Sequence, residues 1–392
     1  MTALTVPDAH ADDASPRPVP WLRMSWVTWR QHRFALGGVA ALLGALALYL
    51  WMAGRRVHHA YAIATACHPA SSYACQNQVI NFNTAYGPTT YTIATLLQVV
   101  PALIGAFVGA PILARELETG TFRYAWTLGV GQRRWTLAKL MPLAIIVAAA
   151  TALFSLVLSW YYQPFFADGG SIPLDPRLFG LHEVAFAAWT LAAFAIGALL
   201  GLLIRRVVPA IAATLASVAG LLFVARLYLQ QHYIAPLIAK NPYNPPVSAW
   251  IINGWWTKGG TTISQSTMNQ ITYTMFRQIL PAILPKNVNS NDVKFYKRAA
   301  NSQVLNYLTH HGYTQWTGYQ PGSRFWPFQW IEGGWLLALS VLLIAATVWL
   351  VGRPVAVIRS RGSGRLSSPG GRARLLSSGA AAAGGSRRPA AD

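Results

Sequence analysis

Acidic residues are scarce in this chain: 11 Asp and Glu in 392 residues, against 31 Lys and Arg. All charged residues together make up 11%, less than half the usual share for a soluble globular protein. That excludes a fold whose whole exterior faces water. Two cysteines are too few for a disulfide-rich secreted scaffold, and 54% hydrophobic with 12% aromatic residues excludes a disordered basic protein. The bilayer is left as the main solvent, in keeping with a mean hydropathy of +0.34. A net charge of +20 would suit nucleic acid, but cytoplasmic loops of membrane proteins are also rich in Lys and Arg, so placement decides.

Crossing a hydrocarbon core of about 30 Å takes roughly 20 apolar residues in a helix. Six stretches qualify: Phe34 to Met52, Ile93 to Ala114, Leu140 to Trp160, Val184 to Ile204, Val207 to Val224, and Ile331 to Val351. The fold class expected is an all-α polytopic membrane protein with six transmembrane helices, since lipid tolerates no exposed irregular backbone. Only Arg205 and Arg206 separate the fourth and fifth stretches, which predicts a tight antiparallel hairpin. With the N-terminus cytoplasmic, the inner segments hold 19 basic residues and the short outer loops only Arg55, Arg56 and Arg177. This bias places both termini in the cytoplasm. The nine basic residues between the last two stretches lie in a loop long enough to be exempt from the rule.

The flanking segments follow from composition. Residues 1–20 read as a disordered leader. Residues 21–33 carry Trp21, Trp26 and Trp29 among Arg23, Arg30 and Arg33, which suits an amphipathic helix lying flat at the interface before the first span, or a charged flank of that span. Residues 34–224 hold spans one to five, residues 225–328 an extracytoplasmic segment read as a helical cap, residues 329–352 span six. Residues 353–392 read as a disordered basic tail that meets anionic lipid rather than nucleic acid. In the cap, Thr267 to Leu284 and Val293 to Leu308 have rough helical spacing. Cys67 and Cys75, eight apart in an oxidising compartment, are a possible disulfide. His58, His59 and His68 lie nearby, but no zinc-type spacing repeats, so no metal is expected.

The spans lack ionisable residues at mid-depth, which disfavours an ion-coupled carrier; Arg226 and Glu332 stand only at outer edges. No phosphate-binding P-loop is present either. Gly105 with Gly109, and Gly197 with Gly201, form two GxxxG pairs that read as helix-packing surfaces, within the bundle or with a second copy. Pro101 and Pro111 predict kinks in the second span. Thr95, Gln98, Ser155, Ser159, Thr190, Thr214 and Ser217 dot otherwise apolar walls, a lining that suits an amphipathic lipid or drug-like cargo better than a sugar or ion.

The densest polar information follows span two, in Arg115-Glu116-Leu117-Glu118-Thr119-Gly120-Thr121-Phe122-Arg123. A helix ended by Gly120 puts two carboxylates in its last turn, where the helix dipole opposes negative charge by about 0.3–1 kcal/mol each. Cations must compensate. Either one carboxylate pairs with Arg115, Arg123 or Arg134 and the other is left for a partner protein, or both close local salt bridges. Their spacing points them to opposite faces, so they are not an acid/base dyad and no catalytic residue is expected.

Residues 115–139 (RELETGTFRYAWTLGVGQRRWTLAK) resemble the cytoplasmic segment between spans two and three of the ABC-2 type transporter permease family, with Glu116, Glu118, Gly120, Thr121, Arg134 and Lys139 on its pattern. Thr28 to Arg33 and His311 to Glu332 are similar to an actinobacterial branch of it. The resemblance implies a permease subunit without its own ATPase site, in a bacterial plasma membrane, usually exporting. Two permeases, as identical copies or paralogues, would pair with two ABC ATPase subunits; ATP and Mg would sit on those partners and no cofactor on this chain. Glu116 to Lys139 would then be the element docking into the ATPase, with Gly120 as hinge. The alternative is a membrane-anchored extracytoplasmic binding or sensor protein working through residues 225–328. An integral membrane enzyme is disfavoured because the outer histidines have no carboxylates in catalytic spacing.

Overall fold

The computed structural model describes residues 21–352, apart from residues 70–71, 121–130, 168, 170, 242–244 and 285–289. The leader at 1–20, the tail at 353–392 and Thr121 therefore lie outside the described residues. Six helices among these are long and apolar enough to cross a membrane: Trp29–Thr65, Ala74–Thr119, Gln132–Ala167, Glu183–Ile204, Val207–His232 and Gly322–Val351. Each contains one of the six expected stretches, and all but the fourth overrun it by two turns or more.

The first helix differs from expectation. Trp21–Thr65 is a single helix of 45 residues, about 67 Å long, with no turn between residues 21–33 and the first span. No proline interrupts it, and Gly37, Gly38, Gly44 and Gly54 all keep negative φ, so nothing in the backbone forces a corner. Its far end is tied to the second helix by a disulfide between Cys67 and Cys75, whose Cα atoms are 5.3 Å apart. Ser72 caps that second helix by accepting a hydrogen bond from the Cys75 amide at 3.2 Å.

The second span is broken where its prolines predict. Helix Tyr73–Leu97 stops four residues before Pro101, and a π turn at Gly105–Gly109 precedes Pro111. A proline has no N–H to offer the carbonyl four residues back, so the helix must end there or widen. At the π turn this span meets the fourth, Glu183–Ile204. A Cβ built on Gly105 would lie 2.5 Å from the Ala193 carbonyl oxygen, and one on Gly109 equally close to that of Phe194. Additions at Gly197 and Gly201 would collide with the carbonyls of Gly105 and Ala110. The two glycine pairs thus pack against each other within one chain, and the fourth span contacts the second, third, fifth and sixth.

The segment between spans five and six is not purely helical. It holds a four-stranded antiparallel sheet, β1 (Leu237–Lys240), β2 (Trp250–Lys258), β3 (Thr261–Ile263) and β4 (Tyr313–Gln320), in the order β1-β4-β2-β3. Helices Gln265–Ile283 and Ser290–His310 pack on each other and close a small core of Trp256, Met268, Val304 and Leu308. Aromatic and β-branched residues fill WIINGWWTK and YTQWTGYQ, a composition that favours pleated backbone. Gly259 and Gly260, with φ of +57° and +83°, form the two-residue turn between β2 and β3.

The bundle has two chemically different ends. One, the cap end, carries the disulfide, the loop at 172–182 and the sheet. The other, the basic end, gathers Arg115, Lys139, Arg205 and Arg206, and the last helix finishes there with Gly352 against Arg133.

Candidate functional site

At the basic end the second span closes on Gly120, whose φ of +72° is the left-handed geometry of a helix C-cap. Glu116, one turn earlier, forms a salt bridge with Lys139 on the second turn of span three; their side chains are 18% and 5% exposed. Lys139 also stands 4.2 Å from the centre of the Trp135 ring. Glu118 accepts a hydrogen bond from the Val207 amide at 3.0 Å through Oε2. That amide opens the fifth span, whose own N-cap, Arg206, has no side-chain acceptor. A carboxylate from span two therefore serves as the missing cap and meets the positive end of the helix dipole.

These contacts correct one expectation. Among the described residues the carboxylates meet Lys139 and a backbone amide rather than Arg115 or Arg134, and Arg123 lies outside the described residues. Together they fasten the end of span two to the starts of spans three and five. Arg134 is half-buried on the first turn of span three. The hairpin between spans four and five is tight because Arg205 adopts φ +59°, uncommon for a residue with a side chain.

Beside this junction, between the first and second spans, lies a cavity of about 570 Å³ lined by His32, Phe107, Pro111, Ile112, Arg115 and Glu116 among others. Nε2 of His32 and Oε2 of Glu116 are buried and have no hydrogen-bond partner among the described residues. Each such atom costs about 1–3 kcal/mol if nothing satisfies it.

A second polar group sits at the cap end. Glu332, 4% exposed and about 10 Å along the last helix, accepts hydrogen bonds from Trp189 Nε1 at 2.6 Å and the Tyr233 hydroxyl at 3.3 Å. Arg226, on the fifth span and in electrostatic reach of Glu332, donates to the Gln98 side-chain oxygen. Gln98 in turn donates to the Arg177 carbonyl. Gln329 accepts from the Ala185 amide at 2.9 Å and so caps the fourth span, where His182 provides no cap of its own. His182 is enclosed against Tyr162 and Phe166, and burial pushes its imidazole down to about 3. The sequence showed Arg226 and Glu332 only as edge residues, because their partners lie on other spans. Of the polar dots in the spans, Thr190, Thr214 and Ser155 bond to carbonyls of their own helices rather than lining a path.

Residues 40–230 match the family described as ABC-2 membrane transporter related. That stretch runs from the first span through the fifth and contains both glycine pairs and the Glu116–Lys139 and Glu118–Val207 contacts. No curated protein and no solved structure matches the chain. With its six apolar helices, the protein is a multi-pass membrane protein, and the match over residues 40–230 supports a transport permease of the ABC-2 kind. The cap and the last span lie beyond the matched residues.

Proposed function

We propose that this permease is the membrane subunit of an ABC exporter in a bacterial plasma membrane, moved by ATP hydrolysis on a separate cassette ATPase that docks at the basic end. The basic end then faces the cytoplasm, with both termini, as the 19 to 3 split of basic residues between short segments favours. The cap faces outward, where the Cys67–Cys75 disulfide is stable.

The observation that carries this reading is the double fastening of span two. Any displacement of the segment that follows Gly120 acts on Thr119, and through Glu116 and Glu118 on the starts of spans three and five as well. Three helices respond as one. Span two also carries the π turn that packs on the fourth span, so movement at its end reaches the centre of the bundle. In this reading Glu116, Glu118, Gly120, Arg134 and Lys139 transmit force inside the permease, while residues 121–130 meet the ATPase. No ion-binding carboxylate stands at mid-depth among the described spans, in line with an external energy source. A second permease, identical or paralogous, completes the translocation path for an amphipathic cargo.

The experiment is co-reconstitution with cassette ATPases from the same genome. Glu118→Ala should leave insertion and ATPase association near wild type and lower cargo-stimulated ATP hydrolysis about fivefold, because no side-chain acceptor is left to tie span two to the Val207 amide of span five. Wild-type stimulation in that variant, or vectorial transport by the chain alone, would overturn the reading.

A further inference from the structure

The cavity between spans one and two has a composition that the transport reading does not use. Its long wall is apolar, made of Phe107, Val108, Pro111 and Ile112. Phe107 and Phe34 flank it on the outside of the bundle and are 57% and 79% exposed, so in a membrane they face acyl chains. Its short wall is polar: His32, Arg115 and Glu116. Glu116 gives one oxygen to Lys139, which cancels that pair of charges, and keeps Oε2 buried with an open lone pair. His32 Nε2 is likewise buried with no partner among the described residues, while the Arg115 side chain is exposed at the rim.

An occupant that satisfies all three groups must accept from Arg115 and His32, donate to Glu116, and continue into something apolar along Phe107 and Phe34. A volume of about 570 Å³ fits a head group and the first part of a chain. We propose that this cavity binds a membrane phospholipid whose head group carries both a phosphate and a hydrogen-bond donor, as ethanolamine or glycerol head groups do. The phosphate accepts from the Arg115 guanidinium and from His32, and the ammonium or hydroxyl donates to Oε2 of Glu116. A choline head group supplies the phosphate without the N–H or O–H donor. Inorganic phosphate supplies the anion without the tail.

Binding is read on the purified full-length chain by native mass spectrometry, with no ATPase present, so its outcome is independent of the transport reading. Phosphatidylethanolamine, phosphatidylglycerol and phosphatidylcholine are offered at equal concentration, with and without millimolar inorganic phosphate. Retention of the first two should exceed that of phosphatidylcholine about fivefold, and inorganic phosphate should not displace them. Arg115→Gln should reduce them to the phosphatidylcholine level. Ala35→Trp, which fills the cavity from an exposed position that lines it, should do the same without touching a polar group. Leu342→Trp, on an exposed face of the sixth span, should change nothing. Equal retention of the three lipids, displacement by inorganic phosphate, or wild-type retention in both Arg115→Gln and Ala35→Trp would overturn the proposal.

Discussion

Replacing Glu116 by Gln removes the negative partner of Lys139 while keeping the side chain's size. Lys139 is 5% exposed, so its ammonium cannot turn to water. Breaking a buried ion pair by removing one partner costs about 3–5 kcal/mol, and because Glu116 itself is 18% exposed the lower end applies, about 3 kcal/mol. Lys139→Met leaves a carboxylate that reaches some water and should cost less, about 1–2 kcal/mol. Glu116→Gln with Lys139→Met removes both charges and should return to within about 1 kcal/mol of wild type, since no unpaired buried charge is left. The double-mutant cycle then yields a coupling of about 3 kcal/mol. Unfolding free energies of the purified protein in mixed micelles provide the measurement. A loss under about 0.5 kcal/mol for Glu116→Gln, or a cycle that is simply additive, would show that the pair does not hold spans two and three together.

Other consequences are equally open to measurement. Gly197→Ala forces a methyl against the Gly105 carbonyl and should cost about 1–3 kcal/mol, whereas Gly44→Ala, with nothing within 4 Å, should gain about 0.5–1 kcal/mol from helix propensity. Arg205→Gly releases a left-handed backbone at φ +59° and should stabilise the fold by about 0.5–1 kcal/mol in the same unfolding assay. His182 is held neutral in the fold, pushed down to about 3, and returns to an ordinary histidine when unfolded. Its contribution is therefore complete above about pH 6.5 and is lost as pH falls toward 3. By pH 5 the loss should be about 2 kcal/mol, and His182→Gln should flatten that part of the stability profile.

What the sequence made legible was local. Six apolar stretches of sufficient length located six helices, and Pro101 and Pro111 marked the break and the π turn in the second. The glycine spacing pointed to a close packing surface, and the structure adds that the two pairs face each other. Long-range features could not be read this way. The partner of Glu116 is 23 residues away and that of Glu118 is 89 residues away, so both carboxylates looked available from their neighbours alone. β1 and β4 pair across two intervening helices, Leu237 opposite Tyr319, so neither strand stood out beside the strong helical periodicity between them. Nor did the Arg and Trp content of residues 21–33 specify a corner, because an amphipathic flank is equally compatible with a helix that simply continues.

The central claim, an ATPase gripping the basic end, is tested most directly by cross-linking from single engineered cysteines. Cys67 and Cys75 are bonded to each other, so a new thiol is the reactive one. In membranes holding the permease and its cassette ATPase, Thr119→Cys should form a nucleotide-sensitive cross-link to the ATPase, and Gln265→Cys on the cap should form none. A cross-link at the cap, or none at residue 119 while the two proteins co-purify, would contradict the account.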